Sequence, residues 1–216
     1  MTWLESIARI EEFEDVSLDA EMVARVEAAA TSTAARPIRF STPTFKDYAS
    51  TELTGCAKNS FPSFSITAGA CGLNCDHCRA EILKPMLAAT SPAMLDQKVR
   101  HLVATQDLQG FLLSGGSNRR NEIPYERYYP VVERLKRDFP QMSIAIPTPL
   151  TDEPGARAIE AAGVDTAMMD VIGAEETIRE VYHLDRPVED FEATLAALCT
   201  TSMKVSPHIV VGLHYG

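Results

Sequence analysis

The chain has 216 residues, a formal net charge of −10, and 45% hydrophobic against 23% charged residues. That is enough chain for one domain with a sizeable core, in the composition range of globular proteins. The negative balance excludes a general phosphate-backbone binder, so no nucleic acid is expected as a partner, and no apolar run approaches the roughly 18 residues a membrane span needs.

The chain starts with Met1, Thr2, Trp3, Leu4 and Glu5 and turns acidic at once. It lacks the basic start and apolar stretch of a signal peptide, which makes the cytoplasm the expected compartment and a membrane partner unexpected. Trp3, Leu4, Ile7, Ile10 and Phe13 have a helical spacing, and Ser17 can cap a second helix with Met22, Val23 and Val26 on one face. Pro37, Pro43 and Gly55 punctuate the stretch up to residue 58. Residues 1–58 are therefore expected to form a helical N-terminal extension, packed on the main domain or used as a partner-docking arm.

From residue 59 the pattern alternates. A short strand is expected at 64–67, then a cysteine loop and a helix. Ser91 and Pro92 supply an N-cap and a first-turn proline for a helix carrying Met94, Leu95, Val99, Leu102 and Val103. A second strand at 110–114 runs into Gly115 and Gly116. Pro124 precedes a helix with Val131, Val132 and Leu135. A third strand spans 142–146, a helix opens at 151–154 and Gly163 ends it. The fourth strand is expected at 166–171, helical layers at 174–182 and 188–201, and a fifth strand at 205–213. These apolar runs show no alternation, so both sheet faces are expected to be buried, in a parallel sheet with right-handed crossovers. Five βα units suit an open doubly wound sheet or part of a barrel. An apolar edge strand needs a cover. The core domain, residues 59–216, is thus expected to be truncated after the fifth strand or completed by another chain.

Five cysteines are present, and Cys71, Cys75 and Cys78 fall within eight residues in the spacing C-x3-C-x2-C. The odd total and the clustering fit metal ligation better than a disulfide framework. Thiolates are soft ligands suited to iron–sulfur clusters, and three of them can hold a cube while one iron stays open. Zinc is the alternative, but it takes four ligands, and here the fourth would have to be His77, wedged between two cysteines. The position after the first strand of a parallel α/β domain favours a ligand site, because such sites gather at strand C-termini.

With that spacing and position, residues 59–216 resemble the radical S-adenosylmethionine (SAM) superfamily. The resemblance implies a partial (β/α)6 TIM-like barrel, a [4Fe–4S] cluster on Cys71, Cys75 and Cys78, and SAM on the open iron. It also implies roles by position. Ser114, Gly115 and Gly116 match the segment that meets the SAM amino group, although Ser117 stands where the family motif has Glu. His77 matches an aromatic position beside adenine, Asp170 the ribose carboxylate, and Val210 and Gly212 the fifth-strand adenine segment. Arg179 is a candidate for the SAM carboxylate, and Thr148 a further candidate contact. Plain alternatives remain for each: a turn, a helix cap, a buried strand, a solvated arginine. The family's chemistry is one-electron cleavage of SAM to methionine and a 5′-deoxyadenosyl radical, fed by a reductant protein of flavodoxin or ferredoxin type.

Within the superfamily the chain is most similar to biotin synthase-like proteins and the two-subunit lipoyl synthases. The segments 61–67, 75–78, 110–116 and 207–214 carry that similarity. It implies sulfur insertion, with a second radical SAM subunit and a lipoyl-carrier protein as partners. No cysteine falls on the second or third predicted strand, Ser206 occupies the matching position on the fifth, and residues 1–58 hold only Cys56. Two alternatives stand beside it: a radical SAM enzyme of another reaction class, and a cluster-binding partner subunit without activity of its own.

Overall fold

The computed structural model describes residues 60–215, together with Glu21, Ala24, Arg25 and Ala28, which are helical and exposed. The remainder of the expected N-terminal extension, including Cys56, lies outside the described residues. The chain divides into two compact units, Met1–Lys46 and Asp47–Gly216. The second unit carries the sheet and the cysteine loop.

Its elements run β1 (Ser63–Ser65), β2 (Leu87–Ala88), α1 (Pro92–Thr105), β3 (Gly110–Ser114), α2 (Tyr129–Asp138), β4 (Ser143–Pro147), α3 (Glu153–Ala161), β5 (Thr166–Asp170), α4 (Glu175–Glu180), α5 (Val188–Cys199) and β6 (Lys204–His208). Local sequence sets several boundaries. Ser91 caps α1 by accepting from the Met94 amide at 3.2 Å, and Pro92 starts its first turn. Asp152 caps α3 by accepting from the Gly155 amide at 2.9 Å.

All six strands are parallel and form one sheet in the order β2-β1-β3-β4-β5-β6. This is the α/β class expected from the sequence, with one strand more. The added β2 is a two-residue edge strand. No α-helix succeeds the cysteine loop, only a 3-10 turn at Glu81–Leu83. From β2 onward every crossover steps the same way, so the right-handed rule puts the helices on one face, the winding of a barrel segment. α1 accordingly packs on α2, and α3 on α5.

The expectation of two buried faces holds at Ser65, Ser114 and Ala145 but not along the whole second face, as the register shows. Phe64, Phe111, Leu113, Ile144, Ile146, Ala167 and Met169 share one face and join the core with Leu95, Val99, Val131, Leu135, Ile159 and Leu198. Phe64 and Phe111 meet edge to face at 5.6 Å. The other face carries Ser65, Leu112, Ser114, Ala145, Pro147, Thr166, Met168, Asp170, Ser206 and His208. These are small, polar or half-exposed, and none belongs to the core cluster. Side chains alternate along a strand, so each strand divides its residues between packing and the opposite face.

The fifth expected strand, 205–213, is also shortened. β6 ends at His208, opposite Asp170, because its one partner, β5, ends there. The last ladder bond runs from the Val171 amide to the His208 carbonyl at 2.8 Å. Gly212 then adopts φ +78°, and His214 Nδ1 lies 3.0 Å from Thr177 Oγ1 on α4, so the chain turns back instead of extending. Ile209 and Val211 are left 77% and 87% exposed. No described helix is long and apolar enough to cross a membrane.

Candidate functional site

The chain leaves β1 to β2 on one side and returns past β1 to reach β3 on the other. In open α/β sheets the crevice at such a reversal, outside the carboxyl ends of the strands, is where ligands bind. The loops leaving β1 and β3 meet there. The Ile66 amide donates to the Ser114 carbonyl at 2.8 Å, and the Gly72 amide to the Ser117 carbonyl at 2.7 Å. The Gly116 amide donates to Thr67 Oγ1 at 2.8 Å. Gly116 is buried so tightly that a Cβ there would lie 2.0 Å from the Ala70 carbonyl oxygen and 2.6 Å from Cys71 Cα. Packing against the cysteine loop therefore requires this glycine.

The cysteine loop is held in an uncommon backbone. Ala68, Asn74, Arg79 and Ala80 all have positive φ, between 45° and 58°. Asn tolerates this region; Ala and Arg do not, at a cost of order 1 kcal/mol each. The Cys78 and Arg79 amides both donate to the Cys75 carbonyl, at 3.2 and 2.7 Å, closing a turn that brings two of the three thiols together. Cys75 and Cys78 share a hydrogen bond, which together with burial pushes Cys75 up and, with a second bond from His77, holds Cys78 low, at about 4. The same bond to Cys78 raises His77 above the usual histidine value, against the effect of burial. Cys71 is half-buried, with its thiol donating to the Ser117 carbonyl at 3.7 Å.

Among the described residues, no group of three His, Cys, Asp or Glu side chains is gathered closely enough to hold a single metal ion. Three thiols on one strained loop are a soft donor set of the kind iron–sulfur clusters take.

The remaining sequence candidates fall in different places. Asp170 ends β5 on the half-exposed face. Its Oδ2 accepts from the Tyr182 hydroxyl at 3.3 Å, and its Oδ1 stands 3.9 Å from His208 Nδ1. Val210 borders the same region: Asp170, Tyr182, His208, Val210 and Gly173 line a cleft of about 190 Å³. His77 stands behind Tyr182, its ring 4.8 Å from that of the tyrosine. Ser114 is buried at the end of β3, and Gly115 beside it is half-buried. Thr148 donates from both its amide and its hydroxyl to the Met168 carbonyl, each at 2.7 Å, tying the end of β4 to β5. Arg179 lies exposed on α4, paired with Glu180 at 3.2 Å. Val210 and Gly212 sit past the end of β6 rather than within a strand.

Tyr182 and His183 were not legible as site residues. The segment that carries them leaves α4 and closes on the cysteine loop. The Asp76 amide donates to the Val181 carbonyl at 2.9 Å, the Cys75 thiol to the Tyr182 carbonyl at 3.7 Å, and His183 Nδ1 to the Leu73 carbonyl at 3.0 Å. Burial, then the Asp170 charge, pushes the Tyr182 phenol up, so it stays a donor. On the outer side of the loop, Gly72, Leu73, Asn74, Arg119 and His183 line a second cleft of about 420 Å³.

The fold and site together define a parallel α/β domain with a three-thiol loop at its strand-order reversal. No protein-family model matches the chain, and no curated protein does. Among solved structures it is similar to methylornithine synthase (PylB), at 15% identity and a TM-score of 0.48 over 71% of this chain and 44% of that one. It is also similar to BtrN in complex with AdoMet and 2-DOIA, at 15% identity and a TM-score of 0.40 over 69% of this chain and 56% of that one. The chain spans about half the length of these structures.

Proposed function

We propose that the chain is a radical SAM enzyme in which Cys71, Cys75 and Cys78 hold a [4Fe–4S] cluster and Asp170 binds SAM. The observation that carries this reading is the placement of three thiols on the loop after β1, at the strand-order reversal, with Tyr182 linking that loop to a carboxylate at the end of β5. When bound, the cluster supplies the electron that cleaves SAM to methionine and a 5′-deoxyadenosyl radical. The chain's own residues bind and orient. Cys78, held low by its neighbours, supplies a thiolate for iron, Asp170 lines the cleft and can accept from a ribose hydroxyl, and the Tyr182 ring lines it beside the carboxylate. The test is anaerobic reconstitution with EPR of the reduced protein before and after SAM, alongside assay of 5′-deoxyadenosine. Absence of a [4Fe–4S] signal would sink the reading.

The finer proposal is sulfur insertion of the lipoyl or biotin synthase type in the cytoplasm, with a flavodoxin- or ferredoxin-type reductant, a second radical SAM subunit and a lipoyl-carrier protein. An anaerobic reaction with an octanoylated carrier, with and without that subunit, tests it; no thiolation in either overturns it. A second reading is favoured by the side chains that β5 and β6 present to the site. Met168 and Ser206 stand in register there, and neither is a thiolate able to hold a sulfur-donating cluster. Radical chemistry of another class would give 5′-deoxyadenosine without sulfur transfer.

A further inference from the structure

We infer that Tyr182 is a positioning residue that sets the cysteine loop and the Asp170 carboxylate in register with each other, an inference that rests on the SAM reading of the site. The two groups come from β1 and β5, which are separated in the sheet by β3 and β4. Hydrogen-bonded strands alone hold them at a fixed separation only through those two intermediates and the loops beyond them. Tyr182 bridges them directly. Its carbonyl accepts the Cys75 thiol at 3.7 Å in the metal-free chain, a bond that iron would replace, while two contacts need no thiol proton: its ring lies 4.8 Å from that of His77, and its hydroxyl donates to Asp170 Oδ2 at 3.3 Å.

The residue suits the task. Its side chain has two main torsions, and it is 7% exposed, so little freedom remains to blur the bridge. A buried phenol needs a partner, and this one takes Asp170 Oδ2, leaving Oδ1, which stands 3.9 Å from His208 Nδ1 and beyond hydrogen-bond distance of it, to accept from a ligand hydroxyl. The neighbours brace it from both sides. The Val181 carbonyl takes the Asp76 amide, and His183, held at φ +57°, donates to the Leu73 carbonyl and sets its Nε2 3.4 Å from Asp76 Oδ1. Asp76 sits between Cys75 and Cys78, so the segment grips the loop on both flanks of Cys75.

The test uses Tyr182→Phe, which keeps the ring and removes the hydroxyl, and Tyr182→Ala, which removes both. In reconstituted protein, Tyr182→Phe is expected to keep wild-type iron content and reduced EPR signal while its SAM dissociation constant rises about tenfold, the scale of one hydrogen bond to a charged group. Asp170→Asn should weaken SAM binding as well, and the double variant should be no weaker than the worse single, because the two act as one unit. Wild-type SAM affinity in Tyr182→Phe, or additive losses in the double variant, overturns the inference. A second arm needs neither cluster nor SAM. In metal-free protein, iodoacetamide labelling of Cys75, 6% exposed, is read by peptide mass spectrometry. Tyr182→Ala should accelerate labelling about tenfold and Tyr182→Phe should leave it unchanged, with melting temperatures recorded for both. Equal labelling in Tyr182→Ala and wild type overturns the inference. Failure of wild-type protein to bind SAM refutes the proposed function instead, and the labelling arm still decides whether Tyr182 holds the loop.

Discussion

Replacing Gly116 by alanine is the sharpest probe of how the site is built. The added Cβ would lie 2.0 Å from the Ala70 carbonyl oxygen and 2.6 Å from both Cα and Cβ of Cys71. Non-bonded carbon atoms settle at about 3.5–4.0 Å, so the cysteine loop must retreat by on the order of 1 Å. The obstructing atoms are backbone or first side-chain atoms, which have no rotamer to escape into. Overpacking of this kind costs about 1–3 kcal/mol, and the rigid obstacle points to the upper end, about 3 kcal/mol. For a chain of this size that corresponds to a fall in Tm of roughly 6–12 °C. Gly173→Ala is the matched control, since nothing lies within 4 Å of a Cβ there. Thermal unfolding of the metal-free proteins measures the stability difference, and iron per chain after anaerobic reconstitution measures what the shifted loop can still hold. Gly116→Ala should lose on both counts and Gly173→Ala on neither. If Gly116→Ala melts with Gly173→Ala, the close packing of the two loops is not what demands glycine. A glycine needed only to let its backbone meet a ligand would leave the metal-free protein untouched.

Thr67→Val removes the oxygen that accepts the Gly116 amide at 2.8 Å, and should cost about 1–2 kcal/mol by chemical denaturation, the cost of a buried donor left without a partner. Arg100 pairs with Asp96 within α1 at 3.0 Å and links α1 to α2 through Asp138 at 2.5 Å. The hydrogen bond to Arg100 holds Asp96 below its usual 3.8, a depressed value whose stabilisation is fully present above pH 3.8 and lost as pH falls through the lower folded pKa. Arg100→Ala should therefore melt below wild type at pH 7, with the gap shrinking in a Tm scan to acid; a gap that widens there refutes the pairing.

The parts of the site legible in the sequence are those written in a few adjacent residues. Cys71, Cys75 and Cys78 declare their loop by spacing, and Ser114, Gly115 and Gly116 declare theirs by their place at the end of an apolar run. Tyr182 was hidden because it meets Cys75 from 107 positions away, and nothing local marks a tyrosine after a short helix as a tether. The two-faced sheet was hidden for another reason. β3 and β4 place Leu112 and Ala145 on the second face, so hydropathy reads Phe111, Leu112 and Leu113 or Ile144, Ala145 and Ile146 as unbroken runs. Along β5 the alternation is present, with Ala167 and Met169 buried and Thr166, Met168 and Asp170 half-exposed, but Met168 masks it. The sequence extends β6 past His208 because Ile209, Val210 and Val211 have strand propensity. Propensity carries no knowledge of where a partner strand stops.

β5 shows why a further tie between loop and carboxylate is needed. Ala167 and Met169 anchor the strand to the helix layer, so the position of Asp170 is set by core packing on the opposite face. The cysteine loop is held on one side, by the loop after β3, and has fewer such anchors on the side that faces Asp170. Leu73 and Cys75 reach the core, but Cys71 and Cys78 are only half-buried and the loop's backbone is strained at three residues, Ala68, Arg79 and Ala80. Left to itself, a strained segment with few buried contacts opens at low free energy. A rigid carboxylate facing a loop free to open would fix one end of a ligand and release the other. The contacts at Val181, Tyr182 and His183 close that gap. They commit a short helix and three successive residues to holding one side of the site to the other, and they place the tie within bonding distance of Asp170 rather than at the loop's outer edge.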